Sequence, residues 1–143
     1  MSEAKKLINE LLVEIFNRIL AIEEEALRNA GVSLSMTEIH VLEAVGNVPE
    51  PSMTQIAAKL GITVGSLTTS VATLANKGFV VRKRPEDDRR KVLVELTPSA
   101  VKTLEIHSAF HAKMIDSIFE DLKVEEDEVL LASLRRVATY FRK

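Results

Sequence analysis

Two segments with a helical pattern lie only two residues apart near the middle of this chain. The first follows the sequence SMTQ at residues 52–55, which has the form of a capping box, and the second follows Thr63, whose hydroxyl can cap a helix. Between them lie Gly61, which adopts a left-handed conformation without strain, and Ile62. Two short helices joined by so short a turn must cross steeply, and the sequence therefore predicts a helix-turn-helix.

The second of these helices, from Thr63 to Lys77, has two faces of different character. Its apolar positions recur at helical spacing and are expected to face the core: Val64, Leu67, Val71 and Leu74. The opposite face is small, polar and uncharged, with Thr68 at its edge: Gly65, Ser66, Thr69, Ala72, Thr73 and Asn76. A face of this kind suits close approach to the major groove of DNA better than burial in a core.

Two runs rich in β-branched residues follow this helix, at residues 79–84 and 92–96. The residues between them, 85–91, begin with a proline and are otherwise all charged. This pattern predicts a two-stranded hairpin with a charged tip. A hairpin is marginally stable on its own, so we expect it to pack on the neighbouring helices. Residues 52–97 are thus predicted to form a winged helix-turn-helix.

Charge is distributed unevenly along the chain, although the net charge is only −2. Residues 59–91 contain eight cations and three anions, a net charge of +5, whereas the rest of the chain contains eleven cations and eighteen anions. A basic module on an acidic body can bind phosphates locally while it resists indiscriminate adhesion. The same charges could also be a solvated surface run, so this pattern depends on the predicted module around it.

One long helix and one short helix are predicted before this module. From Leu7 to Leu27 apolar residues recur at spacings of three and four, in a stripe wider than one neighbouring helix would cover. Part of that stripe is therefore expected to face a second chain. Gly31 is expected to end this helix, and a capping-box sequence at residues 35–38 begins a short one.

Helices are also predicted after the module. Thr97-Pro98 provides a helix cap followed by a proline at the first helical position, and the helix that begins there is expected to reach Leu122. A last helix is predicted from about Glu125 to Phe141. With no linker or repeat in between, the prediction is a single, mainly α-helical domain with a small β-hairpin wing.

Several classes of function are excluded by what the sequence lacks. Without cysteine there is no disulfide, thiolate metal site or cysteine nucleophile. The chain has no phosphate-binding loop, nucleophile elbow or dinucleotide fingerprint, so we expect neither an enzyme nor a cofactor. The N-terminal segment is neither a signal peptide nor a membrane span. We therefore expect a soluble, cytoplasmic protein that does not bind membranes.

The hairpin carries the most specific motif in the chain, Asp88-x-Arg90-x-x-x-Val94-x-Leu96-Thr97, which follows a helix ending NKGFV at residues 76–80. This motif resembles the wing signature of the MarR family of transcription regulators, and the order of helices around it fits that family as well. The resemblance implies one MarR-type domain over residues 1–143, with a DNA-binding winged helix-turn-helix at 52–97. It also implies dimerisation helices at 1–30 and 98–143, so that a homodimer binds a pseudo-palindromic operator in double-stranded DNA.

The resemblance assigns DNA contacts to two groups of residues. On the recognition helix, Ser66, Thr68, Thr69 and Thr73 would face bases and phosphates. On the wing, Arg90 would enter the minor groove beside Arg89, and Asp88 would orient Arg90 and fix the wing tip. A surface ion pair between Asp88 and Arg90 is the alternative interpretation. Many family members have an arginine at the position of Thr69, so here the wing arginines would supply more of the contacts.

Four further segments, residues 15–24, 37–40, 67–70 and 107–114, resemble the fatty-acid-synthesis repressors within this family. Those repressors respond to acyl chains carried by acyl carrier protein, which would be the effector and a further partner here. The resemblance implies an effector pocket lined by Phe16, His40, His107 and His111. The apolar residues of these segments could instead be simply core and dimer interface.

Two other functions stay open at this point. Glu24, His40, His107 and His111 have zinc-compatible side chains and resemble the metal site of zinc-sensing repressors in the same family. We prefer a polar pocket lining to a metal site, because histidines in pockets are more often hydrogen-bonded structural groups. A winged helix that contacts only proteins is the alternative of another class.

Overall fold

Helices make up most of the chain in a computed structural model, which describes residues 1–142. The chain divides into two compact units, residues 1–107 and residues 108 onward. The first contains α1 (Glu3–Glu10), a π-helical turn (Leu11–Ile15), α2 (Phe16–Asn29), α3 (Met36–Asn47), α4 (Met53–Leu60), α5 (Val64–Asn76), β1 (Val80–Lys83), β2 (Leu93–Leu96) and the first part of α6 (Pro98–Leu122). The second contains the rest of α6, a 3₁₀ turn (Val124–Glu126) and α7 (Glu128–Phe141). Among the described residues, no helix is both long enough and apolar enough to cross a membrane.

The predicted N-terminal helix is present as α1, the π-helical turn and α2. Backbone angles stay helical through Leu11 and Ile15, so these segments follow one another without a break. Gly31, with a φ of 83°, ends α2 as predicted. The N–H of Val32 donates to Leu27 O at 2.8 Å and that of Gly31 to Arg28 O at 2.9 Å, the two hydrogen bonds of a Schellman motif.

Helix α3 begins with a complete capping box. Ser35 Oγ accepts from the N–H of Glu38 at 3.2 Å, and Glu38 Oε1 accepts from the N–H of Ser35 at 3.1 Å. Glu24 of α2 adds a third contact, since its Oε1 accepts from the N–H of Met36 at 2.9 Å. The start of α3 is therefore fixed both by its own sequence and by α2.

Helices α4 and α5 form the predicted helix-turn-helix. Ser52 Oγ caps α4 through the N–H of Gln55 at 3.2 Å, but the N–H of Ser52 donates to Glu50 O at 2.8 Å, so only one half of the expected capping box forms. Gly61 has a φ of 67° and ends α4. Thr63 Oγ1 then accepts from the N–H of Ser66 at 3.1 Å and begins α5.

One residue of α5 is oriented differently from the prediction. Leu67, Val71 and Leu74 are fully buried, as expected, but Val64 is 45% exposed. Val64 is the first residue of α5, where the helix has not yet reached the core that Leu67 enters one turn later. The prediction that Val64 faces the core was wrong.

The wing is a two-stranded antiparallel hairpin in which Val80 pairs with Leu96 and Lys83 with Leu93. It packs on the helices as expected. Val80 and Val94 are buried in the core, and the N–H of Val94 donates to Pro51 O at 2.8 Å. At the start of α6, Thr97 Oγ1 donates to Gly78 O at 2.7 Å, which ties the end of the hairpin to the end of α5.

The core of the first unit is made of aliphatic side chains from α2 to α6. Its largest fully buried members are Leu27, Ile39, Leu42, Ile56, Leu67, Leu74, Val41, Val71, Val80 and Val94. Several apolar side chains of the N-terminal helices lie outside this core and are each about half exposed: Leu7, Ile8, Leu11, Leu12, Val13 and Phe16. This surface fits the expected interface with a second chain.

The second unit also leaves apolar residues exposed, among them Ile118 and Leu122 of α6 and Leu134 and Phe141 of α7. Helix α7 begins at Glu128, three residues later than predicted, because Asp127 is its N-cap and accepts from the N–H of Leu130 at 2.9 Å. The predicted fold class, mainly α-helical with a small β-hairpin wing, is confirmed.

Candidate nucleic-acid interface

The outer face of α5 carries the hydroxyls that the sequence assigned to DNA. Ser66, Thr68, Thr69 and Thr73 are all exposed. Thr68 Oγ1 donates to Val64 O at 2.8 Å and Thr73 Oγ1 to Thr69 O at 3.2 Å, so these hydroxyl protons are used within the helix. Their oxygens keep lone pairs directed outward, and their methyl groups are exposed beside them. At these two threonines the face therefore offers methyl groups and hydrogen-bond acceptors.

A basic groove separates this face from the wing. We call it the wing groove; it is lined by Glu50, Ser52, Met53, Thr54, Gln55, Val64, Thr68, Arg82, Arg84, Arg90, Lys91 and Val92. Four of these residues are cations and one is an anion. The sequence analysis named Arg90 and Thr68 but missed Arg82 and Arg84, although their spacing of two on a predicted strand placed them on one side of the hairpin.

The wing tip is held by backbone contacts. Asp88 Oδ1 accepts from the N–H of Arg90 at 3.1 Å, and Arg84 Nη1 donates to Arg89 O at 2.7 Å. Within residues 1–142, Asp88 forms no ion pair with the guanidinium of Arg90, so the surface ion pair that was the alternative interpretation is not formed. Asp88 fixes the turn that carries Arg90, and the guanidinium itself is left to line the wing groove.

Glu50 is the one acidic residue in the wing groove. Its Oε1 accepts from Lys91 Nζ at 2.7 Å, across 41 residues of sequence. This hydrogen bond, together with the negative charge of Glu50, raises the pKa of Lys91. Lys91 is therefore a fixed cation at the base of the wing.

The far end of α5 is attached to the start of α3. Lys77 Nζ lies 2.9 Å from Glu38 Oε2 and 3.1 Å from Glu38 Oε1. Partial burial alone would raise the pKa of Glu38, but the hydrogen bonds from Lys77 and from the N–H of Ser35 outweigh it, and the pKa is lowered from its usual 4.5. This contact was not predicted, because Lys77 and Glu38 are far apart in the sequence and no local pattern indicates that they meet.

The four residues predicted to line an effector pocket have different environments. Phe16 is 54% exposed, and His40 of α3 is exposed as well. His107 is buried, whereas His111 of the second unit is partly buried with its ring edge-on to Phe110. Whether they form one pocket stays a prediction.

Two carboxylates lie beside His107, one buried (Glu23) and one partly exposed (Glu43). Its Nδ1 lies 2.9 Å from Glu43 Oε1 and its Nε2 lies 3.8 Å from Glu23 Oε1, with Glu23 only 2% exposed. Glu24, the carboxylate considered for zinc, instead caps α3. The sequence analysis missed Glu23 and Glu43. The signal for Glu23 was its place between Ile19 and Leu27 at spacings of four, on the face of α2 that reaches the core.

Comparison with known proteins gives consistent matches to one family. Residues 34–92 match the sequence model of the MarR family. The chain is 33% identical to YhjH of Bacillus subtilis, an HTH-type transcriptional regulator, over 69% of this chain and 57% of that protein. It is 31% identical to the HTH-type transcriptional regulator BilQ of Clostridium symbiosum over 78% of this chain and 76% of BilQ.

A solved structure with the same fold is that of Streptococcus pneumoniae FabT in complex with DNA. The TM-score is 0.86 and the identity 33%, over 96% of this chain and 97% of FabT. The chain thus spans nearly all of FabT but little more than half of YhjH. The named relatives are transcription regulators and not enzymes, in agreement with the sequence prediction.

Proposed function

Because this chain belongs to the MarR family, we propose that it is a transcription regulator whose homodimer binds double-stranded DNA sequence-specifically through residues 52–97. Helix α5 lies in the major groove, with Ser66, Thr68, Thr69 and Thr73 toward the bases. The wing places Arg90, next to Arg89, in the adjacent minor groove. The DNA in the FabT structure supports this assignment.

The observation that carries the proposal is the wing groove. A reading helix in the major groove and a wing in the minor groove must have a phosphate strand between them. In this chain the space between α5 and the hairpin contains Arg82, Arg84, Arg90 and Lys91. Arg82, Arg84 and Lys91 would meet the phosphates of that strand, and Arg90 continues the basic surface into the minor groove, which is the electrostatic footprint of a duplex-binding surface.

The dimer is supported by the half-exposed apolar residues of α1 and the π-helical turn. We assign dimerisation to residues 1–30 and 98–143, as the sequence analysis expected. Two recognition helices related by a two-fold axis then bind half-sites about 10 base pairs apart, on a pseudo-palindromic operator.

The test is the selection of bound fragments from random duplex DNA, followed by affinity measurements over a range of salt concentrations. If both protomers use all four groove cations, the logarithm of the affinity falls against the logarithm of the salt concentration with a slope of about −7. Binding that is absent, or that is insensitive to salt, would contradict the proposal and favour a winged helix that contacts proteins.

The finer proposal is a repressor of fatty-acid-synthesis genes whose effector is an acyl chain on acyl carrier protein. Its support is the similarity to FabT over nearly the whole chain. Selection from genomic DNA should recover promoters of fatty-acid-synthesis genes, and acyl-loaded carrier protein should change the affinity for them while the unloaded carrier protein does not. Recovery of unrelated promoters would contradict this assignment.

A zinc-responsive repressor is the second candidate, and the surroundings of His107 favour it. Glu23 and His107 Nε2 offer two donor atoms, while Glu43 orients the imidazole ring through Nδ1, as outer partners of zinc-bound histidines do. Against it, Glu24 is engaged by α3 and His40 is exposed. Zinc should then tighten operator binding in the parent protein and not in His107→Ala. Equal DNA affinity with and without zinc would exclude this candidate.

A further inference from the structure

We propose that the first turn of α5 recognises a thymine through its C5 methyl group, with Val64 as the contacting side chain and Gly65 as the position that permits close approach. This inference rests on the proposed function, since it names a base that the DNA-binding surface reads. Its starting point is Val64, the residue of α5 that the hydrophobic pattern wrongly assigned to the core.

Val64 has no role in the core. The buried face of α5 consists of Leu67, Val71 and Leu74, and Val64 is 45% exposed where it lines the wing groove with Thr68. The N-terminal residues of a recognition helix are those that reach base edges. An exposed branched apolar side chain at that place is matched by the one apolar group in the major groove, the methyl of thymine.

Gly65 supports the same placement. A side-chain carbon built at this position would have Thr63 Oγ1, at 3.9 Å, as its nearest neighbour, so the fold leaves room for alanine. Glycine is a poorer helix residue than alanine, and no positive φ requires it here. A bare backbone on the outer face of the first turn instead suits a surface that another molecule approaches closely.

The polar groups of α5 do not favour guanine. Guanine is read by two donors from arginine or lysine, and α5 has no charged residue between Val64 and Asn76. Thr68 Oγ1 donates to Val64 O, so the exposed Thr68 side chain offers acceptor lone pairs and a methyl group rather than a hydroxyl proton. The surface next to Val64 is therefore methyl-rich and lacks the paired donors that would read guanine, which fits an A·T pair with its thymine methyl toward the protein.

The first experiment replaces each thymine of the selected operator in turn by deoxyuridine, which removes only the C5 methyl. In the parent protein we expect one position in each half-site where this replacement weakens binding about fourfold, the value of one buried methyl group. Val64→Ala should bind the thymine and uracil operators equally. Val81→Ala is the matched control: Val81 is 43% exposed on β1, next to Arg82 in sequence and therefore on the opposite side of the strand, and it should keep the fourfold difference.

The second experiment uses Gly65→Ala, which should separate stability from binding. Alanine should raise the Tm by about 2 °C through its better helix propensity. It should also weaken operator binding about tenfold, because the added methyl group occupies the space of the approaching base pair. An unchanged affinity in Gly65→Ala would contradict close approach at this turn.

The proposed function and the thymine contact can be contradicted separately. If selection recovers no duplex DNA, the proposed function is wrong and this inference with it. If an operator is recovered but no thymine methyl affects its binding, or if Val64→Ala still discriminates thymine from uracil, the thymine contact is wrong while the DNA-binding function stands.

Discussion

Lys77 and Glu38 join two helices that are far apart in the sequence. The pair connects the C-terminal end of α5 to the capping box of α3, and Lys77 Nζ also lies 3.5 Å from Ser33 O. Side-chain exposures are 40% for Lys77 and 16% for Glu38, so the pair is screened but not fully solvated. It therefore contributes modestly to stability and helps to hold the end of α5 against the start of α3.

Replacing Lys77 by methionine tests this contact through its pH dependence. Because the folded state lowers the pKa of Glu38, the folded protein favours the ionised carboxylate. The stabilisation is complete above the usual pKa of 4.5 and is lost as the pH falls through the lowered folded-state value. Lys77→Met should cost about 0.5 kcal/mol in unfolding free energy near pH 7, and the cost should shrink below pH 4.5.

Chemical denaturation at a series of pH values measures this difference. The control is Lys83→Met, which breaks the ion pair with Glu95 on the hairpin, where both side chains are more than half exposed. That variant should lose less stability than Lys77→Met at neutral pH. A loss in Lys77→Met that does not change between pH 7 and pH 3.5 would show that the contact acts through packing alone.

Arg90 should matter for binding and not for folding or assembly. Arg90 lines the wing groove and is held there by the backbone of the turn, so Arg90→Ala removes a phosphate or minor-groove cation without removing a structural contact. Operator affinity should fall about tenfold or more, and the salt slope should become shallower by about 1 per protomer.

Lys83→Ala provides the comparison for Arg90→Ala. It removes the same charge from the same hairpin, but Lys83 pairs with Glu95 and is not among the residues of the wing groove. Its affinity and salt slope should stay close to those of the parent protein, and both variants should sediment as dimers. Equal loss in the two variants would mean that only the net charge of the wing matters.

At the scale of elements, the wing is organised by backbone hydrogen bonds. The N–H groups of Met53 and Val94 donate to Val92 O and Pro51 O at 3.2 and 2.8 Å, which continues the pairing of the hairpin onto the segment before α4. Lys91 and Glu50 close the same junction with an ion pair. The position of the wing relative to the start of α4 is thus fixed independently of DNA.

Asp88 offers a test of how the wing tip works. Since its carboxylate accepts from the N–H of Arg90, an asparagine amide oxygen can take its place, whereas alanine cannot. Asp88→Asn should bind the operator at least as tightly as the parent protein, because it also removes a negative charge near phosphates. Asp88→Ala should bind more weakly, by about fivefold, through the loss of the turn. Equal weakening in both variants would restore the sequence-based interpretation, in which the charge of Asp88 orients the guanidinium of Arg90.

Element boundaries were largely predictable because caps are local. The capping box of Ser35 and Glu38, the left-handed Gly31 and Gly61, and the Thr63 cap all depend on residues within four positions of each other. Ser52 shows the limit of this reasoning. Its N–H donates to Glu50 O because the preceding segment pairs with the hairpin, and that pairing is not visible in residues 52–55.

The candidate site was less predictable, because it depends on contacts across long stretches of sequence. Helical periodicity wrongly assigned Val64 to the core. The spacing of apolar residues shows which face of a helix is apolar, but it does not show at which turn of the helix that face reaches the core. The carboxylates beside His107 come from α2 and α3, and zinc-compatible residue types suggested Glu24 in place of Glu23. The motif at Asp88 and Arg90 located the wing tip correctly but not the atoms that meet there.

At the scale of the whole molecule, the proposed dimer must hold two basic modules so that both reach one duplex. Residues 1–18 are all exposed, and the large apolar side chains from Leu7 to Phe16 are between 36% and 54% accessible in the single chain. A surface of this kind is costly in water unless another chain covers it. Covering it with the same surface of a second copy gives a two-fold axis and a fixed half-site spacing.

Leu11→Lys and Glu10→Lys form a matched pair that tests this arrangement. Both place one lysine in the N-terminal helices, but Leu11 belongs to the apolar surface and Glu10 does not. A lysine buried in an apolar interface leaves an unpaired charge, so Leu11→Lys should be monomeric by sedimentation at micromolar concentration, whereas Glu10→Lys should remain dimeric. The core of residues 20–107 does not include Leu11, and near-parental thermal stability of the monomer would show that folding is intact.

Since the two half-sites are then bound independently, Leu11→Lys should lose its preference for an operator with half-sites about 10 base pairs apart over one with altered spacing. A dimeric Leu11→Lys, or a monomer that keeps this preference, would place the dimer interface elsewhere in the chain.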